Sequence, residues 1–481
     1  GAAMSAGIAT RVLPKSKRTV TTLFACGGLS AGAWTAAMIC CRAARLASVA
    51  VVDSASRPDS AARRRVFCRS FLHTCSSTAI CELMGRFCDS STVGGFGGAL
   101  RPLRAEDLAA QVVKAVVARS GVDPVRIEDV VFAQSYANSE APCIGRWVAL
   151  HAGLPVTVPG LQIDRRCGGG LQAVITAAMT VQTGAADVVL AGGVESMSNI
   201  EHYTTTARWG ARAGNQTLYD RLDRGREMSQ PAWRFGAISG MIETAENLAT
   251  DYGIGRDESD AFAARSHQRA AAAQESGLFD DEIIPVDVPQ RRGAAVRFER
   301  DEGVRPDSTA DTLAALRTVV AGGTVTAGNS SQQNDAAAAC LVVAEDRLDE
   351  LGLEPIGYLE GWAAYGCEPS RMGIGPVGAV EKLFSRTGLT FDELSLIEIN
   401  EAFAVQVLAV LSGWGVKLAD VDDRLNVNGS GISLGHPIGA TGVRILTTML
   451  HELRRRGGGL ALETMCIGGG QGIAAVFRGA S

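Results

Sequence analysis

Cys167 is the residue whose type and setting most directly indicate chemistry. It stands in "DRRCGGGLQAV", behind two arginines and ahead of three glycines and an apolar, helix-like pattern. A cysteine where a strand passes into a helix lies at the positive end of the helix dipole, which lowers the thiol pKa and favours a nucleophilic thiolate. Glycines there let a substrate approach the backbone, whose N–H groups can bind an oxyanion. A packed structural thiol is the usual fate of a free cysteine, so this motif alone leaves both interpretations open.

His436 and Cys466 lie in two further glycine-rich motifs near the C-terminus. His436 stands in "NGSGISLGHPIGATG", at the predicted start of a helix, where a tight turn would hold its imidazole ready for acid–base work near pH 7. Cys466 stands in "ETMCIGGGQG", at the end of what we expect to be the last buried strand. A turn histidine bonded to the backbone and a structural cysteine are the alternative interpretations.

A fourth motif, "EINEAFAVQ", places Asn400 and Glu401 where a predicted strand ends. An asparagine side chain at that point can hold a water molecule or donate to an oxyanion. It can equally cap a helix, a position that asparagine favours. The motif alone therefore leaves the role of Asn400 open.

Alternating helices and apolar strands must position these residues. The stretch "LRAEDLAAQVVKAVVARSG" predicts an amphipathic helix, and "IEDVVFAQS" and "DVVLAGG" predict buried strands. The segment "CGGGLQAVITAAMTVQTGAADVVLAGGVES" runs glycine turn, helix, strand, glycine turn, and the segment from "GHPIGATG" to "CIGGG" repeats that order. The repeat predicts an α/β protein with two similar halves and a site where they meet.

Three regions follow from this organisation. Residues 1–93 form an atypical N-terminal extension, which can include a first strand at 47–58. Residues 94–346 form a first domain that carries an inserted, charged and irregular loop domain at about 200–316. Residues 354–481 form a second domain.

The composition supports a globular α/β enzyme and argues against nucleic-acid binding. The 481 residues are 46% hydrophobic and 20% charged, with 5% aromatics and 56 glycines. The net charge of −5 combines +8 in residues 1–100 with −13 in the remainder. An acidic main body repels the phosphate backbone, so we expect no nucleic-acid partner.

The N-terminus has a composition of its own. Residues 1–52 hold no Asp or Glu, which is typical of a mitochondrial transit peptide and also of unselected GC-rich coding sequence. The uncharged run Thr19–Cys41 is rich in Gly, Ala, Ser and Thr, so no membrane span is expected. Seven of the twelve cysteines lie in the first ninety residues. The other five are sparse and unpaired along the body, and no CxxC pair occurs, so the sequence predicts neither a disulfide framework nor a zinc site. A reducing compartment fits the body: the cytoplasm, or alternatively the mitochondrial matrix.

In their order along the chain, "RRCGGGLQAV", "GGVESMS", "NEAFA", "GHPIGATG" and "CIGGGQG" closely resemble motifs of the thiolase family, the acetyl-CoA C-acyltransferases and acetyl-CoA acetyltransferases. The resemblance runs from Phe96 to the C-terminus, about four-fifths of the chain. It implies a duplicated thiolase fold: two similar βα halves with helices packed on parallel-rich mixed sheets, plus the inserted loop domain. It also implies an acyltransferase that moves an acyl group reversibly between an enzyme cysteine, CoA and acetyl-CoA.

The resemblance implies a mechanism as well. His436 would take the proton of Cys167, whose thiolate attacks an acyl-CoA carbonyl to give an acyl-enzyme. Cys466 would then remove the α-proton of acetyl-CoA, and the enolate would attack the acyl group in a Claisen condensation; thiolytic cleavage of a 3-oxoacyl-CoA is the reverse. Asn400, through a water, and His436 would form one oxyanion hole. The backbone N–H groups of Cys167 and Gly468 would form the other.

Substrate contacts are implied by the same resemblance. CoA and acetyl-CoA are expected as substrates, with no permanently bound cofactor and no metal. Ordinary core packing is the alternative role for the apolar residues among these contacts. The contacts are Ser331 and Leu316 with the pantetheine of CoA, and Met241, Met372, Ala402 and Phe403 around the acyl group.

Three departures from the family pattern stand out. Gly169 replaces a small hydroxyl residue, and Gln332 replaces a glycine beside the expected pantetheine tunnel. The strand-like Val49–Pro58 is separated by about 35 residues from "GGFGGAL", which normally follows it directly. Either a loop is inserted there or the opening strand is displaced, and losing that strand would expose a sheet edge.

The leading hypothesis is thus an active thiolase, expected as a homodimer or homotetramer acting on acyl-CoA. A catalytically idle CoA-binding homologue is one alternative. A related decarboxylating condensing enzyme is another, although the Cys466 motif argues against it. Chain length and the direction used in the cell are not encoded in these motifs.

Overall fold

The computed structural model describes residues 82–238 and 240–480. The predicted first strand at 47–58 and the predicted transit segment lie outside this range. Within it, no helix is long and apolar enough to cross a membrane.

Most of the strands in the described part of the chain belong to one mixed sheet. In chain order the strands are β1 Glu82–Ser91, β2 Gly94–Gly95, β3 Asp129–Ala133, β4 Leu161–Ile163, β5 Val188–Ser196, β6 His202–Tyr203, β7 Tyr219–Asp220, β8 Ile283–Ile284, β9 Val286–Val288, β10 Val296–Phe298, β11 Asn334–Val343, β12 Pro355–Gly366, β13 Leu394–Ile399, β14 Gly459–Ile467 and β15 Gln471–Gly479. The main path of this sheet runs β13-β14-β15-β12-β1-β11-β5-β3-β4, with β2 and β8 pairing beside it.

The helices cover both faces of this sheet system. In chain order they are α1 Ala105–Ser120, α2 Ile144–His151, α3 Gly169–Gln182, α4 Arg221–Glu227, α5 Ala232–Phe235, α6 Met241–Tyr252, α7 Arg256–Glu275, α8 Ala310–Ala314, α9 Leu348–Leu351, α10 Gly375–Thr387, α11 Ala404–Trp414, α12 Leu418–Val421, α13 Gly431–Leu434 and α14 Ile438–Arg455.

The strand pairings confirm the predicted duplication. In the first half β3 pairs parallel with β5, and the pairs β5–β11 and β11–β1 are antiparallel. In the second half β13 pairs parallel with β14, and the pairs β14–β15 and β15–β12 are antiparallel. The parallel pairs therefore lie towards the outer ends, and antiparallel strands fill the middle.

Three hydrophobic clusters give the molecule its layers. The central cluster packs α3 and α14 between inward-facing residues of both halves of the sheet. A second cluster packs α1 and α2 on the other face of the first half, and a third packs α10 and α11 on the other face of the second. Strand alternation produces this division: Val131 and Ala133 face the central helices, whereas Val130 and Phe132 face the outer ones.

Strand β1 joins the two halves. Glu82–Ser91 pairs antiparallel with β11 on one side and with β12 on the other. This segment belongs to the region predicted to be an atypical N-terminal extension, and its sequence "ELMGRFCDSS" shows no apolar alternation. Two neighbouring strands supply its hydrogen bonds, so pairing rather than local pattern makes it a strand.

Glycines let α3 and α14 approach each other closely. A Cβ built on Gly170 would lie 2.9 Å from the Gly439 carbonyl oxygen, and one on Gly442 would overlap the Leu171 backbone nitrogen. Gly439, at the start of α14, also lies against the Ala133 and Val194 carbonyls near the C-terminal ends of β3 and β5, so the N-termini of the two helices lie side by side. The residues just before the two helices, Cys167 and His436, are thereby brought together.

Two local expectations need correction. The inserted segment at 200–316 is not irregular throughout, since it contains α6 and the twenty-residue α7. Charged and small residues cover most of the circumference of helix α7. Its sequence therefore lacks the apolar periodicity that predicts an amphipathic helix. Strand β14, which ends beside Cys466, is not the last, because β15 follows the glycine turn and pairs with it.

Candidate active site

The two halves enclose a cavity of about 330 Å³, here called the central cavity, beside the N-termini of α3 and α14. Most of the site residues predicted from the sequence line it. They are Cys167, His436, Cys466, Gly468, Ser331, Met241, Met372, Ala402 and Phe403.

Cys167 lies in the turn that leads into α3. Arg166–Gly168 form a short 3-10 helix that continues into α3 at Gly169. Arg166 has a φ of 47°, a left-handed conformation that costs a non-glycine residue roughly 1–3 kcal/mol. Asp164 supports this turn, because its Oδ1 accepts a 2.7 Å hydrogen bond from the Arg166 N–H. A strained turn thus fixes the position of the thiol.

Burial raises the pKa of the Cys167 thiol. The backbone N–H groups of Gly468 and of Cys167 itself donate towards the sulfur and lower the pKa, as does the charge of Arg166, but burial outweighs them. The prediction that the helix dipole would give a low pKa was therefore wrong in direction. The two N–H groups are the pair expected to form an oxyanion hole.

His436 is held by polar contacts on one side of its ring. Gly435 precedes it at φ 100°, and the His436 N–H donates to Asn334 Oδ1 at 2.9 Å. Nδ1 lies 2.8 Å from Thr441 Oγ1 and 3.5 Å from Asn400 Nδ2. Nε2 is buried and has no hydrogen-bond partner among the described residues. The ring is therefore oriented through Nδ1 and keeps Nε2 available.

Burial, together with the positive charges of Arg444 and Arg226, lowers the pKa of His436 to about 3. The imidazole is accordingly neutral at physiological pH. A neutral imidazole with a free ring nitrogen can accept a proton from a thiol.

Asn400 follows β13 and contacts His436 on the Nδ1 side of its ring. Its N–H donates to the Thr464 carbonyl at 3.0 Å, and its side chain reaches His436 Nδ1. Asn400 is fully buried and does not itself line the central cavity. Its Oδ1 is buried without a partner in the described ranges, so a water molecule there would satisfy it.

Cys466 lies at the end of β14 and is fully buried. Burial raises the pKa of its thiol well above the usual range, and the neighbouring Cys167 and Cys367 raise it further. The chain then turns through Gly468, Gly469 and Gly470, of which the last two have φ of 88° and 83°. This turn presents the Gly468 N–H to Cys167.

The structure does not bring Leu316 to the central cavity. Leu316 is 39% exposed and packs over Gly328, whereas the nearby Val319 and Val320 line the cavity. Gln332 does line the cavity, and its Nε2 donates to the Gly303 and Ile432 carbonyls at 2.9 and 3.3 Å. Its amide is therefore engaged with the protein.

Several cavity residues were missed from the sequence, among them Tyr136 and Arg226. Tyr136 lines the cavity with its hydroxyl donating to the Leu222 carbonyl at 3.1 Å. Arg226 lines it from α4, inside a charged segment that resembles a solvated loop. No spacing rule marks either residue, because both reach the cavity through tertiary packing.

Comparison with known proteins agrees with this geometry. The chain matches "Thiolase, N-terminal domain" over residues 89–346 and "Thiolase, C-terminal domain" over residues 353–479. Acetyl-CoA acetyltransferase of Chromobacterium violaceum is 46% identical over 388 residues, 80% of this chain and 96% of that protein. A probable acetyl-CoA acyltransferase of Staphylococcus aureus is 41% identical over 386 residues, 80% of this chain and 95% of that protein.

Solved structures are similar too. Bacillus anthracis acetyl-CoA acetyltransferase matches with a TM-score of 0.79 and 39% identity, over 84% of this chain and 100% of that one. Human mitochondrial 3-ketoacyl-CoA thiolase in complex with CoA matches with a TM-score of 0.77 and 35% identity, over 84% and 99%.

The fold and the family matches define an acyltransferase of α/β architecture. The chain belongs to the thiolase family. It is an enzyme with thiolase function.

Proposed function

We propose that the chain transfers acyl groups between CoA thioesters through a covalent intermediate on Cys167. The observation that carries the proposal is that two thiols and a neutral imidazole line one cavity of about 330 Å³. CoA and acetyl-CoA are the proposed substrates, and the reaction is a Claisen condensation or, in reverse, thiolytic cleavage of a 3-oxoacyl-CoA.

In the first step, His436 accepts the proton of Cys167 as the sulfur attacks the thioester carbonyl. The C–S bond to CoA breaks, and the CoA thiolate leaves with a proton returned by His436. The lowered pKa of His436 leaves its imidazole neutral and able to take that proton. The raised pKa of Cys167 means that the thiol is protonated until the base acts.

In the second step, Cys466 removes a proton from the α-carbon of acetyl-CoA. The enolate attacks the acyl carbonyl, a carbon–carbon bond forms, and the bond to Cys167 breaks. Burial raises the pKa of Cys466 well above its usual range, so its thiolate is a strong base but must first be formed. His436, neutral again after the first step, would take the Cys466 proton and later return it to the Cys167 thiolate that leaves. Thiolysis reverses these bonds, and Cys466 then returns the proton.

Oxyanion stabilisation is proposed at two places. The N–H groups of Cys167 and Gly468 donate towards the sulfur, which supports their proposed role as donors to the oxygen of the carbonyl that the sulfur attacks. His436, with Asn400 and a water molecule beside it, would stabilise the enolate oxygen of acetyl-CoA.

The proposed substrate contacts are those that line the central cavity. Ser331 would contact the pantetheine, and the acyl group would lie among Met241, Met372, Ala402 and Phe403. Leu316 is not included, since it lies outside the cavity wall.

Assembly and compartment remain proposals from the sequence. A homodimer or homotetramer in a reducing compartment, the cytoplasm or alternatively the mitochondrial matrix, is the proposed working form. The six cysteines of the described residues are all free thiols, which suits such a compartment.

The test is thiolysis of acetoacetyl-CoA by CoA, followed as loss of the enolate absorbance, together with mass spectrometry of protein incubated with acetyl-CoA. We expect turnover and an acetyl adduct on Cys167. Cys167→Ala should abolish both, whereas Cys466→Ala should abolish turnover and still form the adduct.

Cys143→Ser is the matched control, because Cys143 is an exposed free thiol outside the central cavity. It should leave both measurements unchanged. No turnover by the unmodified protein, with Cys167 still open to alkylation, would support the idle CoA-binding alternative instead.

A further inference from the structure

Arg226 is a charged group in the central cavity that the proposed steps do not use. It lies in α4 and shares the cavity wall with Met241 and Met372, which surround the expected position of the acyl group. A guanidinium carries five N–H donors and stays charged, so placing it beside apolar groups with only 25% of its side chain exposed is unfavourable unless an anion meets it.

The protein itself satisfies Arg226 only weakly. Its guanidinium lies 3.9 Å from Asp223, whose side chain is 72% exposed, and within residues 82–238 and 240–480 it donates no hydrogen bond. Its neighbours on α4 are better satisfied. Arg221 is paired with Glu201 at 2.7 Å, and Arg224 lies over the Tyr219 ring at 4.1 Å.

The position of Arg226 places its charge near the reaction. The Cβ of Arg226 lies 3.9 Å from a Cβ built on Gly240, the residue directly before Met241. Its charge also lowers the pKa of His436 and opposes the raised pKa of Tyr136, so its field reaches both residues. The phosphates of CoA are separated from the reacting thioester by the whole pantetheine arm, so they do not fit this place.

We infer that Arg226 binds a carboxylate at the far end of the acyl chain, so that the site takes 3-oxoacyl-CoA substrates whose chain ends in a carboxylate. The inference rests on the proposed function and names its substrate class. Guanidinium and carboxylate match in shape and charge, and both lose water inside a cavity, which strengthens their attraction.

The reaction balances without any further reactant. In thiolysis the bond between the α- and β-carbons breaks, and the CoA sulfur joins the former β-carbon by way of Cys167. The thiol proton of CoA passes to the acetyl α-carbon. The products are acetyl-CoA and a CoA thioester that keeps its terminal carboxylate beside Arg226.

The test compares 3-oxoadipyl-CoA with 3-oxohexanoyl-CoA, which has the same chain length and a methyl group in place of the carboxylate. We expect kcat/KM of the full-length protein to favour the carboxylate. Arg226→Met should lower the ratio of the two kcat/KM values by about tenfold to a hundredfold, because a charge-assisted pair is lost. Arg226→Lys should recover part of the ratio, because lysine keeps the positive charge but lacks the paired N–H donors of a guanidinium.

Arg224→Met is the matched control, because it removes the same charge from the same helix outside the central cavity. It should leave the ratio unchanged. If Arg226→Met does not fold, Arg226→Gln takes its place in the comparison, because glutamine keeps the side chain polar.

The outcomes separate the two proposals. Absence of turnover with acetoacetyl-CoA and with both probes would contradict the proposed function itself. Turnover of the neutral probe, with a ratio that Arg226→Met and Arg226→Gln leave unchanged, would overturn the inference alone. An equal fall for both probes would instead assign Arg226 to the tuning of His436 and would also overturn it.

Discussion

At the scale of single residues, Cys167 and His436 meet as neutral groups before substrate binds. Burial raises the pKa of the thiol and lowers that of the imidazole, so a resting thiolate–imidazolium pair is disfavoured. The nucleophile therefore forms when a thioester is present to receive it. Such an arrangement limits side reactions of a free thiolate with oxidants and other electrophiles.

Alkylation of Cys167 tests this description. In the substrate-free protein the rate of reaction with iodoacetamide should rise with pH, with a midpoint above that of an unburied cysteine. Arg166→Gln should move the midpoint to higher pH, because the Arg166 charge lowers the thiol pKa. Peptide mass spectrometry of the alkylated residue measures the rate.

Arg165→Gln is the control for that experiment, since Arg165 lies beside Arg166 but does not line the central cavity. An equal shift in both variants, or a midpoint below that of free cysteine, would contradict the account.

Asn400 is predicted to act by positioning His436 and a water molecule. Asn400→Ala should lower kcat by about a hundredfold, with a much smaller change in KM, because the water and the imidazole that it positions would stabilise an oxyanion of the transition state. Steady-state kinetics with acetoacetyl-CoA measure the effects on kcat and on KM separately. Asn428→Ala, which removes a buried amide bonded to Glu452, is the control and should leave kcat unchanged. A rise in KM alone would argue against this role.

At the scale of elements, the crossing of α3 and α14 determines the distance between Cys167 and His436. Both residues lie immediately before helices that touch at glycines. The glycines of "CGGGLQ" therefore serve helix packing at least as much as substrate approach. Close helix packing is thus a second role for these glycines, beside the predicted approach of the substrate to the backbone.

Gly442→Ala should consequently impair the site and the fold together. The new Cβ would overlap the Leu171 backbone nitrogen, and the helices would have to separate. We expect a loss of about 1–3 kcal/mol in the free energy of unfolding and a fall in kcat. Chemical denaturation and thiolysis assays check the two effects.

Gly366→Ala is the control, because the nearest atom to its built Cβ lies 3.9 Å away. An unchanged stability and an unchanged kcat in Gly442→Ala would show that the crossing tolerates separation.

The sequence predicted the elements that carry apolar periodicity and missed those that depend on distant partners. The strands with inward and outward apolar faces and the helices before "GGVES" and "CIGGG" were predicted from local pattern alone. Strand β1 could not be predicted in this way, because its partners β11 and β12 lie about 250 residues further along the chain. Cys167, His436 and Cys466 carried glycine signals, whereas Tyr136 and Arg226 reach the cavity only after folding.

At the scale of the whole molecule, buried charge in the second half links stability to pH. Glu398 of β13 and Glu463 of β14 are register neighbours, both buried, and Arg444 of α14 is close to them. Burial raises the pKa of Glu398 to about 8 and that of Glu463 well above its usual range. Both oxygens of Glu463 are without a hydrogen-bond partner in the described part of the chain.

Glu463→Gln should therefore stabilise the protein at alkaline pH. A carboxyl whose pKa is raised in the folded state binds its proton more tightly there, so stability is full below about pH 4.5 and falls as pH rises towards the folded pKa. The variant lacks this loss, and its free energy of unfolding should exceed that of the unmodified protein by about 1–3 kcal/mol at pH 8.5. Near pH 4.5 the two proteins should be nearly equal. Urea denaturation of both proteins at both pH values measures the difference in free energy of unfolding. Glu381→Gln, which replaces an exposed glutamate, is the control. A difference in free energy that does not change with pH would contradict this link between stability and proton binding.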